Sequence, residues 1–267
     1  VTSPVPIAAQ RLVSTYTAAR RSLTDRTTAR ARVSWARLDV YSTPQVEEFA
    51  RVVAQLSQSA QLQTAQLTEA YLRTTLAMMG AAPSDRAAAR PIGRRQVDPL
   101  KVYQRPPETV RWAQSTGVSP ADARDRGGTR LDTMLDTDIA LAARDAAHSV
   151  LSRSDRVTGW RRVLRPEMSR SGPCGLCMVA ADRIYHRGDL LDMHDGCCCL
   201  PMPITAAFDP GAGLNAEDLD RVYSAAGGRT DRAALARVRI ATREHGELGP
   251  RLVDARHHFR DPDDVAA

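Results

Sequence analysis

TPQVEEFARVVAQLSQSAQLQTAQLTEAYLRTTLAMMG, residues 43–80, is the stretch on which the reading of the fold turns. Thr43 offers an N-cap oxygen, Pro44 suits the first helical position, and Glu47 and Glu48 suit the positive end of the helix dipole. Gly80 closes the run at a C′ position, where a left-handed residue ends a helix. Phe49, Val53, Leu56, Ala60, Leu67 and Tyr71 recur at spacings of three, four and seven, which is one helical face. A helix over 44–79 spans about 54 Å at roughly 1.5 Å per residue. Between Arg51 and Glu69 there is no charge. A lone surface helix carries charges, so this one is expected to pack on more than one side. The covering surface is either the rest of the chain or an oligomer or scaffold partner.

On the N-terminal side, residues 7–39 read as a helix with a basic face. Arg11, Arg20, Arg21, Arg26, Arg30, Arg32 and Arg37 face only Asp25 and Asp39 in the first forty residues, nearly the whole excess of the chain. Such a face is either simply solvated or an arm against nucleic acid or an acidic protein surface, with Arg20, Arg21, Arg26 and Arg30 as the contact candidates. On the other side, Pro83, Pro91, Gly93, Pro99 and Pro106 with interspersed arginines mark 81–106 as a linker or extended strap. Short helices are expected over 107–114 and 120–126. A longer one is expected over 129–152, with Leu131, Leu135, Ile139, Ala142, Ala146 and Val150 as its apolar stripe. The pattern then becomes β-like at 157–164, 183–186 and 199–204. A turn at 209–213, helices near 215–226 and 231–245, and a polar acidic tail that frays complete the chain. There is no internal repeat.

The expected fold is therefore mainly α with a small α+β C-terminal module. Long N-terminal helices precede a short β-hairpin region stapled by a Cys/His cluster. The expected organisation is a helical region 1–80, a Pro/Arg-rich linker 81–106, an α+β module 107–205, and a helical extension and polar tail 206–267. Composition agrees: 267 residues with 43% hydrophobic and 25% charged content describe a globular chain, and only 4% aromatics favour helices over a β-sandwich. Of the 37 basic side chains only Lys101 is a lysine, a bias that GC-rich coding explains more simply than 36 arginine contacts. No uncharged apolar window reaches the length of a membrane span. Pro4, Pro6 and Arg11 interrupt the start before a signal peptide could form, so a reducing, cytoplasmic setting is expected.

All five cysteines lie in one short region, reading Cys174-Gly-Leu-Cys177, sixteen further residues, then His194-Asp-Gly-Cys197-Cys198-Cys199. A C-x-x-C knuckle lets two thiolates approach one ion, and a second pair downstream completes the tetrahedron of a structural zinc site. The candidate ligand sets are Cys174 and Cys177 with two of His194, Cys197 and Cys199, and on a strand Cys198 points away from its neighbours. The alternatives are a small hairpin that packs cysteine as a compact apolar residue, or an oxidised pair formed after assembly. His186, Asp189, Asp192 and Asp195 share the hairpin, but the Asn and second His that follow the His-Asp pair of an HNH nuclease are missing, and the cluster ends in cysteines instead. No H-E-x-x-H, G-x-S-x-G or P-loop spacing occurs. Ser171 or Cys177 with His194 can be nominated as a protease pair on spacing alone.

Gly159-Trp-Arg-Arg-Val-Leu-Arg-Pro166, Gly172-Pro-Cys-Gly-Leu-Cys177, Ala181-Asp-Arg-Ile-Tyr185 and His194-Asp-Gly-Cys-Cys-Cys199 together resemble the MuF-like minor capsid, or head-morphogenesis, proteins of tailed phages infecting GC-rich actinobacteria. The family's C-x-x-C followed by H-x-x-C-x-C is met at Cys174, Cys177, His194, Cys197 and Cys199, with Cys198 a departure between the last two. The resemblance is specific over 155–205 and extends from about 105. It implies a virion component in several copies, inside the head beside the portal protein and assembled with the major capsid or scaffolding protein. Packaged DNA is a further partner, and a membrane is not. It also implies host cytoplasm as the place of assembly, while the structural Zn is the cofactor expected from the Cys/His spacing itself. Some relatives are labelled capsid maturation proteases, which makes that the alternative function, and a DNA-binding head protein is a further one.

Overall fold

The computed structural model describes residues 7–83, 85, 89, 91–92, 94, 97–165, 180–181, 183–188, 199–206, 208–211, 213–216, 240–247, 249–254, 258–261 and 264. Four long helices come first: α1 (Ile7–Ala36), α2 (Thr43–Met78), α3 (Pro99–Ser115) and α4 (Pro120–Ser152). Among the described residues five strands follow: β1 (Val157–Val163), β2 (Ile184–His186), β3 (Leu200–Thr205), β4 (Ile240–His245) and β5 (Gly249–Asp254). The chain is mainly helical with a small antiparallel sheet of order β2-β1-β3, and β4-β5 form a separate hairpin. Among the described residues no helix is long and apolar enough to cross a membrane.

The ends of α2 fall almost where residues 43–80 place them. The cap position is Ser42, one residue before Thr43, and it makes no side-chain cap bond. Gly80 has φ +65°, and the Ala81 and Gly80 amides donate to the Leu76 and Ala77 carbonyls at 2.7 and 3.0 Å. That pair of bonds is a Schellman ending, and the positive φ is why glycine stands there. The uncharged middle of α2 buries one broad face within the chain and leaves Gln55, Gln58, Ser59, Gln63 and Gln66 exposed. Ser57, Gln61, Thr64 and Thr68 are buried alongside Ala60 and Ala65, so small and polar side chains let neighbouring helices come close at the waist of the bundle.

Two apolar cores sit on either side of that waist. One gathers Trp35, Phe49, Val53, Val102, Tyr103, Val110, Leu131 and Leu135 from all four helices. The other gathers Val13, Tyr16, Tyr71, Leu72, Leu76, Val150 and Leu151 with Val157, Trp160, Leu200 and Met202 of the sheet. Residues on both sides of 81–106 therefore share the same cores. Tyr16 stacks on Tyr71 with ring centroids 4.5 Å apart, and the Tyr71 hydroxyl donates to the Pro201 carbonyl at 3.2 Å, fixing the sheet against α2.

Several boundaries differ from the sequence expectation. Residues 99–106 are helical, not part of a strap. Asp98 caps α3 by accepting from the Leu100 amide at 2.9 Å, and the helix continues through Pro106 and Pro107. An internal proline costs about 3 kcal/mol, here offset by burial of Val102, Tyr103, Val110 and Ala113. The expected break between 126 and 129 is absent too, because α4 runs through Gly127 and Gly128. Those glycines are packing residues: a Cβ on Gly127 would stand 2.5 Å from Val110 Cγ2 and 2.8 Å from both the Pro106 carbonyl and Trp35 Cη2. Residues 210–211 and 213 are helical where a turn was expected, residues 215–216 are helical as expected, and the remainder of 215–226 lies outside the described residues. The helix expected over 231–245 is strand over Ile240–His245. The tail supplies its partner Gly249–Asp254, since Gly246 and Gly249 place a tight turn between two extended runs.

Gly127 makes a sharp test of this packing. Gly127→Ala should destabilise the protein by about 1–3 kcal/mol in denaturant titration, against the usual helical gain from alanine. Gly128→Ala should cost less, because the nearest atoms are the flexible end of Arg32.

Candidate functional site

The three-stranded sheet brings together two of the separated motif runs, through residues 159–163 of β1 and 184–185 of β2. Gly159 lets β1 approach β2, since a Cβ there would stand 2.5 Å from the Tyr185 carbonyl oxygen. Trp160, fully buried, stacks on Tyr185 at 4.3 Å. The buried guanidinium of Arg162 lies 5.4 Å from the Trp160 ring and 5.3 Å from the Tyr185 ring, a cation–π arrangement that helps to offset its lost hydration. Arg161 donates to Asp209 at 2.7 and 3.0 Å and to the Ala181 carbonyl at 3.3 Å. Asn215 accepts from the Leu164 amide at 2.9 Å and donates to the Arg162 and Ala181 carbonyls at 2.7 and 3.4 Å.

Register decides where the cysteine-bearing connections join this unit. Ile184 at the start of β2 pairs with Arg161, and Leu200 at the start of β3 pairs with Val163. Both connections therefore enter the sheet at the Val163 end of β1. Their entry strands flank one shared neighbour, about 10 Å apart. Cys199 is half-buried immediately before β3. Cys174, Cys177, His194 and Cys197 lie outside the described residues, as does Ser171. Among the described residues, no group of three or more His, Cys, Asp or Glu side chains is placed to hold a metal.

No protein-family model, curated protein or solved structure matches this chain.

The basic helix face is partly redistributed by the fold. Arg21, Arg26 and Arg30 are exposed on α1 and Arg20 is half-buried. Arg21 stands 3.8 Å from Asp25, an exposed pair, and Arg26 donates to Ser22 at 2.7 Å. Arg32 is a structural tie, donating from Nε and Nη2 to both oxygens of Asp132 on α4 at 2.9 Å each. Arg124 of α4 closes the end of α1, donating to the Trp35 and Leu38 carbonyls with its guanidinium 4.9 Å from the Trp35 ring.

The strongest polar cluster is one that the sequence reading passed over. Asp138 sits on the same face of α4 as Leu131, Leu135 and Ala142, and its side chain is 7% exposed. Its Oδ1 accepts from Arg94 Nε at 2.9 Å, while Oδ2 accepts from the Tyr103 hydroxyl at 2.6 Å and from Ser57 at 3.4 Å. Gln61 extends the cluster, donating to Ser57 and accepting from the Ile92 amide at 2.8 Å. A cavity of about 40 Å³, room for a water or two, adjoins Ser57, Gln61, Ile92, Arg94, Tyr103 and Asp138. Burial opposes the charge of Arg94, yet Asp138, Tyr103 and Glu247 hold its pKa above the ordinary arginine value. Burial first, and then the Asp138 charge, push the Tyr103 hydroxyl well above the ordinary tyrosine range, so it stays a donor.

Glu247, at the turn between β4 and β5, closes the chain of charges. Arg105 donates to its two carboxylate oxygens at 2.8 and 2.5 Å, and Arg94 Nη1 stands 3.8 Å away. Burial would raise the Glu247 pKa, but the Arg105 hydrogen bonds and the charges of Arg105, Arg94 and His245 lower it overall. Its stabilising share is thus fully present above the unfolded glutamate value and is withdrawn as pH falls through the lowered folded one. The available sequence signal was Asp138 itself, a carboxylate set in phase with an apolar stripe.

Asp138→Ala should cost about 3–5 kcal/mol, since it strands the Arg94 charge inside the bundle. Tyr103→Phe, which removes one donor and leaves the ion pair, should cost about 1–3 kcal/mol. Equal losses in urea unfolding would contradict this division.

Proposed function

We propose that the chain is a structural minor capsid protein of a tailed phage, of the MuF-like head-morphogenesis kind, acting at or near the portal during head assembly. The observation that carries this reading is the convergence of two of the motif runs, those at 159–165 and 181–185. Gly159–Arg162, Ala181 and Tyr185 form one interlocked unit, and both cysteine-bearing connections enter it at the same end. A shared zinc drawn from Cys174, Cys177 and two of His194, Cys197 and Cys199 would staple those connections. That is the role of a closed structural site. The partners in this reading are the portal protein and the major capsid or scaffolding protein, with the chain in several copies inside the virion.

Coexpression with the portal, capsid and scaffolding proteins tests it. The chain should copurify with portal rings and leave the capsid protein uncut. A monomer that never joins portal or capsid would sink the proposal. Capsid cleavage abolished by Ser171→Ala, His194→Ala or Cys177→Ala would replace it with the maturation-protease reading. Protein purified under reducing conditions should carry about one zinc per chain, lost in Cys174→Ser.

The exposed Arg21, Arg26 and Arg30 of α1 favour a second contact, with packaged DNA. Retention on duplex DNA should fall steeply with salt, and Arg26→Ala and Arg30→Ala should each reduce the log–log salt slope by about 0.9 if each meets a phosphate. Salt-independent retention removes this contact and leaves the portal reading standing.

A further inference from the structure

Two arginines from different parts of the helical bundle meet one carboxylate carried by the C-terminal hairpin. Arg105 comes from α3 and grips Glu247 through both Nη atoms, a planar guanidinium matched to a planar carboxylate. Arg94 comes from the segment between α2 and α3 and stands behind, 3.8 Å from Oε2. Arg94 does not depend on Glu247 for its position, because Asp138 and the Met134 carbonyl accept from it at 2.9 and 3.4 Å. The hairpin is a sheet of its own, with β4 and β5 paired to each other and to none of β1–β3. Its turn is shaped to present the carboxylate: Gly246 precedes Glu247, and the Glu247 amide donates to His245 Nδ1 at 3.3 Å.

Charge makes the arrangement more than a fastening. Asp138 pairs with Arg94 and Glu247 with both Arg94 and Arg105, and the Arg94 and Glu247 side chains are only 5% and 8% exposed. Without Glu247, the converging guanidiniums of Arg94 and Arg105 would lose one carboxylate ligand in a poorly hydrated place, which is an attraction for a small anion. We propose that Arg94 and Arg105 form a carboxylate-binding socket on the bundle and that Glu247 is its intrachain ligand, so that the β4–β5 hairpin is a detachable clasp. The class of ligand is a carboxylate, and the site does not depend on the portal reading.

The test uses the full chain with Glu247→Ala and, as a near-isosteric neutral control, Glu247→Gln. Hydrogen exchange should quicken about tenfold or more across 240–254 in both variants, from the loss of charge-assisted bonds, while α1, α2 and α4 keep their protection. Acetate, added at constant ionic strength against chloride, should raise the melting temperature of Glu247→Ala. It should do so neither for the parent protein nor for the Arg105→Ala/Glu247→Ala double variant. Unchanged exchange in 240–254, faster exchange throughout the helices, failure of Glu247→Ala to fold, or absence of acetate rescue would each overturn the proposal.

Discussion

Asp138 lies in phase with the apolar stripe of α4, where a lone ionised carboxylate costs several kcal/mol. The packing around it follows from meeting that cost. Tyr103 brings α3 to it, Ser57 brings α2, and Arg94 carries the otherwise irregular segment between those helices into the interior. Gln61 then fixes the same segment through the Ile92 amide. Three stretches of chain are thus held in register by one side chain, and the cluster specifies geometry more than it adds net stability.

Arginine elsewhere in the protein does related work. Arg32 ties α1 to α4, Arg111 donates to the Val40 carbonyl between α1 and α2, and Arg124 closes the end of α1. Arg161 and Arg187 bind carbonyls or carboxylates around the sheet. A long side chain with a planar fork can reach across a helix crossing and satisfy a carbonyl that no local cap supplies. A sequence pI near 9.4 therefore overstates how much positive charge is left for a partner.

What could be read in the sequence depended on how local its cause was. The start and end of α2 are written in Pro44 and Gly80, and the three strands of the main sheet fall close to 157–164, 183–186 and 199–204. Gly127 and Gly128 misled, because their reason lies in Val110, Pro106 and Trp35 on other helices and not in their neighbours along the chain. Pro106 and Pro107 misled likewise, since burial of Val102 and Tyr103 outweighs their local preference. The Ile240–His245 strand exists only with its partner at Gly249–Asp254, a pairing that helical spacing within 231–245 does not reveal. The ionic cluster needed knowledge of which distant arginine could reach Asp138. For the cysteine cluster, strand register shows that the two connections enter their strands at one end of the sheet, while the ligand assignment rests on Cys174, Cys177, His194, Cys197 and Cys199 as a pattern.

The sheet order β2-β1-β3 also bears on synthesis. The central strand leaves the ribosome first, and neither of its neighbours exists until residues 184–186 and 200–205 have followed. All four helices are complete by then, yet Tyr71, Leu72, Leu76, Val150 and Leu151 still lack Leu200 and Met202 to cover them. That half of the bundle must wait with apolar surface open, a period in which a nascent chain is prone to wrong association. Arrival of β3 ends the wait, and the same event sets the entry points of both cysteine-bearing connections at one end of the sheet.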